Sequence, residues 1–184
     1  GIEAKIESTG KASVPDKNPE RVGDTQVIVK VKLKADVAGD LRFVVVTAAG
    51  ESKPHSLLVE TKVPVVKEKE PNDGFRAAQQ VTLPVVIEGA IERPRDVDVF
   101  RFAGKKGQTL HAELIADRLG SALDGQLTLY RGNALEVAHG VVKEGRDPRL
   151  EIMLPADDDY FLVLIDANDT GSQIHAYRLS ITAN

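Results

Sequence analysis

The segment Asp96-Val97-Asp98-Val99-Phe100-Arg101-Phe102 has a period of two residues rather than 3.6. In an extended strand alternate side chains share a face, so Phe100 and Phe102 enter a core in line with Asp96 and Asp98. Short-strand signals recur around it at Val85–Ile91, Asp98–Phe102, Thr109–Ala116, Gln126–Tyr130, Leu135–His139, Leu150–Leu154, Tyr160–Asp166 and Ala176–Thr182. Turn residues punctuate them at Gly104–Gly107, Gly120–Gly125, Arg131-Gly132-Asn133, Asp147-Pro148 and Asp166–Gly171. This spacing predicts an antiparallel sandwich of jelly-roll type. The predicted core rows are Phe100/Phe102, Leu110/Ala112/Leu114, Leu127/Leu129, Leu150/Ile152/Leu154, Phe161/Val163/Ile165 and Tyr177/Leu179/Ile181. Only Phe75–Val81 and Ala116–Leu119 have room for a helical turn.

Upstream, Val27, Val29, Val31 and Leu33 alternate with mostly polar residues across Thr25–Lys34, as a half-buried antiparallel strand requires. Leu41–Thr47 is almost continuously apolar and β-branched, and the two runs are expected to be a hairpin or neighbouring strands. Ile2–Ile6 and Ser56–Val59 are shorter strand candidates, and Pro15–Gly23 a polar loop. Pro64 and Pro71 bracket the alternating string Lys67-Glu68-Lys69-Glu70, the expected entry to a second domain. The predicted fold is therefore all-β: two antiparallel β-sandwiches, a small module with linker over 1–66 and a jelly-roll-like domain over 67–184. The first carries a net charge of +1 and the second −5.

The 184 residues are 42% hydrophobic, enough for a buried core, and contain no apolar run of the roughly 20 residues a bilayer span needs. With no Cys, a disulfide scaffold, a zinc ribbon and thiol catalysis are excluded. An aromatic content of 4% with no Trp argues against a stacking platform for sugars or bases, and a net charge of −4 against nucleic acid as a partner. Gly1 in place of Met suggests a processed or recombinant fragment, so export is not expected to be legible at this N-terminus. The four histidines lack zinc-site spacing. Ser121 is in no nucleophile elbow, and there is no P-loop or dinucleotide fingerprint. Asp157-Asp158-Asp159 is expected to be a hairpin turn, as is Asp166–Gly171, which lacks the Glu an EF-hand needs. Glu88, Glu92, Glu113 and Glu151 sit in alternating patterns that make them solvent-facing, so no catalytic residue is assigned.

One acidic cluster stands apart. Pro71 biases Glu70 toward extended backbone, so Glu68, Glu70 and Asn72 point one way and Asp73 sits at the turn. Asp96 and Asp98 are in register with a core row, which is costly unless their charge is compensated. Carboxylate and amide oxygens are the ligands Ca²⁺ prefers. The plainer alternative is a solvated acidic linker with two surface aspartates, paired as Asp98–Arg101 or Glu70–Arg95.

Several motifs occur in order: Glu70-Pro71-Asn72-Asp73, Val86–Ile91, Asp96–Phe102, Gly107-Gln108, Leu119–Asp124, Leu154-Pro155-Ala156-Asp157, Tyr160 and Tyr177-Arg178-Leu179. Over residues 68–183 the chain resembles the bacterial pre-peptidase C-terminal domain family, β-sandwiches appended to secreted proteases and other exported proteins. Residues 1–62 resemble the end of an immunoglobulin-like module. The family includes the collagen-binding domains of bacterial collagenases, which bind calcium through an acidic segment of the form ExExND. Glu68-Lys69-Glu70-Pro71-Asn72-Asp73 fits that form. The resemblance implies Ca²⁺ ligands at Glu68, Glu70, Asn72, Asp73, Asp96 and Asp98, with Arg95 where another acid would be expected.

It also implies a non-catalytic accessory module of an exported multidomain bacterial protein, secreted, periplasmic or at the cell surface. Such a module aids attachment, spacing or solubility of a neighbouring domain. Its partners would be those neighbouring domains and an unspecified macromolecular surface, protein or polysaccharide. The alternative is a carbohydrate-binding module of a secreted hydrolase. Collagen as a ligand is not expected, because Tyr130, Tyr160 and Tyr177 lie on separate strands.

Overall fold

The computed structural model describes residues 2–11, 25–34, 37, 39–48, 50–60, 62–142 and 145–184. The predicted loop at Pro15–Gly23 lies outside the described residues. The chain is nearly all β, with 58% strand and 2% helix, and divides into two compact units, Gly1–Glu60 and Thr61–Asn184.

In the first unit β1 (Ile2–Lys11) pairs antiparallel with β2 (Thr25–Leu33). β3 (Gly39–Phe43), β4 (Val46–Thr47), β5 (Gly50–Glu51) and β6 (His55–Val59) nest, β3 pairing with β6 and β4 with β5. The expected hairpin between Thr25–Lys34 and Leu41–Thr47 is not formed, because each run takes another partner. Among the described residues of this unit no hydrophobic side chain is buried, and its strands form three separate two-stranded ladders.

The second unit is a sandwich. Its strands are β7 (Val65–Lys67), β8 (Gln79–Gln80), β9 (Val85–Ala90), β10 (Val97–Gly104), β11 (Thr109–Ile115), β12 (Gly125–Arg131), β13 (Glu136–His139), β14 (Val141–Val142), β15 (Pro148–Met153), β16 (Asp158–Asp166) and β17 (Ala176–Ala183). One sheet has the order β13-β12-β16-β10-β8 and the other β14-β15-β11-β17-β9-β7. All eight strands predicted in this region are present, with the helical turn shrunk to a 3-10 turn at Asp117–Leu119. Two edges depart from the antiparallel expectation: β8 runs parallel to β10, and β7 parallel to β9. Each pair is joined by a crossover long enough to return the chain in the same direction. The division at Glu60/Thr61 places β7 with the second unit, because Val65–Lys67 is laddered to Val86–Glu88. With β17 antiparallel to β9, the start of β7 and the end of β17 lie at one end of this sheet.

One hydrophobic cluster fills the space between the sheets: Phe100, Phe102, Leu127, Leu129, Leu162 and Leu164 from one, Ile87, Leu110, Leu114, Leu150, Leu179 and Ile181 from the other. On β16 the inward row is Tyr160/Leu162/Leu164, not the predicted Phe161/Val163/Ile165. β16 is flanked by β10 and β12 and apolar on both faces, so its sequence carries no parity signal. Phe161 faces outward and is covered by Phe75, whose ring lies 4.9 Å from it and 5.4 Å from Tyr130. The Tyr160 hydroxyl donates to Ala156 O at 2.8 Å from inside the core. Tyr160→Phe is expected to cost about 1 kcal/mol, read as a lower urea midpoint at an unchanged m-value.

Asp147 ties the start of β15 to the end of β11. It is buried, and its carboxylate accepts the N–H groups of Ala116 (2.9 Å), Asp117 (2.7 Å) and Arg118 (3.3 Å) and Nε of Arg118 (2.8 Å). Burial alone would raise its pKa, but Arg118 and the three backbone donors outweigh burial and hold it below the usual carboxylate range.

Candidate metal centre

The acidic segment leaves β7 and passes toward β8 in the opposite sheet. Gln79 straps it down, accepting Lys69 N–H at 2.8 Å and donating to Lys67 O at 3.0 Å. Glu68 Oε2 accepts Ala90 N–H at 3.0 Å, and its Oε1 accepts Asn72 Nδ2 at 3.3 Å. Glu70 Oε2 accepts Asn72 N–H at 3.0 Å, closing the turn. Asn72 is fully buried, and its carbonyl accepts Val99 N–H at 3.1 Å, which seats the segment on β10.

Asp98 takes the inward position ahead of Phe100 and is fully buried. Tyr177 reaches across from β17 and donates its hydroxyl to Asp98 Oδ2 at 2.6 Å. Asp96, just before β10, is buried and accepts Glu92 N–H at 2.7 Å. The predicted residues converge. Carboxylate oxygens of Glu68, Glu70 and Asp98 lie within 4.8 Å of one another, and so do those of Glu70, Asp73 and Asp96.

Electrostatics make this arrangement costly by itself. Burial, reinforced by Glu68, Asp96 and Glu70, pushes the Asp98 carboxyl up to about 8 against the opposing Tyr177 hydrogen bond. Glu68 is raised by burial, then by Glu70 and Glu92, and Glu70 by burial, then by Asp96 and Asp73. Burial and the neighbouring Asp98 carry the Tyr177 hydroxyl well above its ordinary value.

Several atoms are left over. Asn72 Oδ1, Asp96 Oδ1 and Asp98 Oδ1 are buried without a hydrogen-bond partner, although Asp96 Oδ1 lies at an ion-pair distance of 3.1 Å from Arg93. Gly89, opposite Tyr177 on β9, keeps the space clear: a Cβ there would stand 2.5 Å from Glu68 Oε2 and 2.6 Å from the Tyr177 hydroxyl. Buried oxygens lacking donors, an all-oxygen ligand set and excess negative charge fit a hard cation of the Ca²⁺ class.

Sequence reading missed three contributors. Tyr177 was visible only as a core residue, and Gly89 only as a strand glycine. Arg93 pairs with Asp73 and Asp96 and reaches Glu70 at 3.9 Å, so it and not Arg95 is the guanidinium at the cluster. Arg101 pairs with Asp159 at 2.5 Å rather than with Asp98. Asp166 is saturated by Asp124, Asn168 and Thr170, as expected of a turn.

No family model matches the chain. A stretch of 102 residues is 34% identical to a probable subtilase-type serine protease of Deinococcus radiodurans, covering 54% of this chain and 14% of that protein's length. Among solved structures, the chain is similar to the pre-peptidase C-terminal domain of a collagenase from Bacillus anthracis. There the identity is 15%, the coverage 57% of this chain and 94% of that one, and the TM-score 0.48. It is also similar to PliG of Aeromonas hydrophila, a periplasmic inhibitor of g-type lysozyme, at 16% identity, 67% and 98% coverage and a TM-score of 0.43.

Proposed function

We propose that this chain is a non-catalytic accessory module of an exported multidomain protein, with its second unit stabilised by Ca²⁺ held at Glu68, Glu70, Asn72, Asp73, Asp96 and Asp98. The observation that carries the metal is the set of buried, partnerless oxygens among carboxylates whose own burial is unfavourable. Removing a carboxylate from water without a counter-charge costs several kcal/mol, and a cation supplies that charge. The identity to about one-seventh of a subtilase-type protease supports a place beside a hydrolase domain, where the module would serve attachment, spacing or solubility. A glycan role would want an exposed stacking surface. The groove on the outer face of the six-stranded sheet is lined by His111, Glu113, Arg149, Glu151, Ser180 and Thr182, with no Phe, Tyr or Trp.

Isothermal titration of Ca²⁺ into chelator-stripped protein tests the metal, and saturable binding is the expected result. Gly89→Ala is expected to weaken that binding about tenfold, because the new Cβ pushes the Glu68 carboxylate off its Ala90 anchor. An unchanged isotherm for Gly89→Ala would mean that Glu68 is no ligand.

A further inference from the structure

The two carboxylate triads overlap at Glu70 but differ in what neutralises them. The inner triad, Glu68, Glu70 and Asp98, borders the partnerless oxygens of Asn72 and Asp98. Among the described residues no Lys, Arg or His forms an ion pair with Glu68 or Asp98. In the outer triad, Glu70, Asp73 and Asp96, every member is engaged by one guanidinium: Arg93 pairs with Asp73, stands 3.1 Å from Asp96 and 3.9 Å from Glu70.

We propose that Arg93 is a resident cation that fills the outer half of the cluster, so that the chain takes one divalent ion, at the inner triad, and not two. This rests on the calcium reading above and narrows its ligand set to Glu68, Glu70, Asn72 and Asp98, with Asp73 and Asp96 held by Arg93 instead. Arg93 is fixed by its backbone as well as by its charge. Asp96 N–H donates to Arg93 O at 3.2 Å, closing a turn that aims the side chain back over Asp96. Gly171 lies flat against that turn: a Cβ at residue 171 would stand 2.1 Å from Arg93 O. A planar, permanently charged fork suits several carboxylates at once and gives up no hydration shell comparable to that of Ca²⁺. With the fork in place, a second divalent ion would meet a positive charge within ion-pairing distance of all three of its ligands.

The test is calcium stoichiometry, by titration calorimetry and by native mass spectrometry, on the wild-type chain and on Arg93→Met, Arg93→Gln and Arg93→Lys. The expected result is one ion for wild type and for Arg93→Lys, which keeps the charge, and two for Arg93→Met and Arg93→Gln. Two ions in wild type would overturn this proposal and leave the calcium reading standing. One ion in all four proteins would also overturn it, since Arg93 would then exclude nothing. No ion in wild type overturns the calcium reading and this proposal together. Should a neutral variant fold only with calcium, mass spectrometry of the calcium-refolded protein reads the same count.

Discussion

Thermal unfolding in saturating Ca²⁺ is expected to give a Tm for the second unit roughly 10 °C above that in chelator. An ion that binds only the native state stabilises it by RT ln(1 + [L]/Kd), about 2.7 kcal/mol at a hundredfold excess over Kd. For a unit of this size each kcal/mol moves Tm by several degrees. The metal-free protein has a pH signature of its own. Asp98 has a folded pKa of about 8, above its ordinary 3.8, so the native state holds a proton that the unfolded chain releases between those values. The resulting contribution to stability is fully present below about pH 4 and is lost as pH rises through about 8. Calcium held as proposed would reverse the preference, because it requires the carboxylate. Asp98→Asn therefore has two opposite effects. It raises Tm in chelator at neutral pH by removing a buried ionisable group, and it abolishes the gain from calcium. A Tm and a calorimetric titration both indifferent to calcium would overturn the calcium reading and leave Asp98 as a buried, protonated carboxyl bonded to Tyr177.

The largest single-residue loss is expected at Asp147. Asp147→Ala strips three backbone N–H groups and Arg118 of their acceptor. Arg118 is half-exposed and keeps Glu113, so the loss falls on the backbone donors, about 1 kcal/mol for each hydrogen bond and about 3 kcal/mol together. Urea unfolding should show that loss at pH 7. Here the sign of the pH effect is opposite to that at Asp98. The Asp147 pKa is depressed in the native state, so its contribution is present above the ordinary carboxylate pKa and disappears as pH falls through the folded value. Wild type and Asp147→Ala should then converge in stability in acid. A difference that stays constant to the lowest pH would assign the loss to packing rather than to the carboxylate.

These two aspartates also show what a sequence makes legible. Asp98 could be placed facing the core because Phe100 and Phe102 share its parity, and the ExExND-like run supplied the residues that meet it. Asp147 carried no such signal: its partners at 116–118 are far away in sequence and are backbone groups. The parity of β16 was hidden because Val163 and Ile165 are as apolar as Leu162 and Leu164. β7 and β8, at three and two residues, are too short to show any period. In the first unit, alternation located β2 but did not choose between β1 and Leu41–Thr47 as its partner. Arg93 escaped notice because a charge in a turn looks solvated until the loop at Gly171 is seen to hold it.

The parallel edge strand β7 has a mechanical consequence. Its start and the end of β17 leave the same end of one sheet. Tension between these two points therefore peels β7 from β9 one hydrogen bond after another instead of loading them together. A three-residue ladder opened in this way offers little resistance. The first firm stop is Glu68, whose N–H donates to Glu88 O and whose carboxylate grips Ala90 N–H. Ahead of that point the chain can yield as a short compliant leader, and beyond it the sandwich holds.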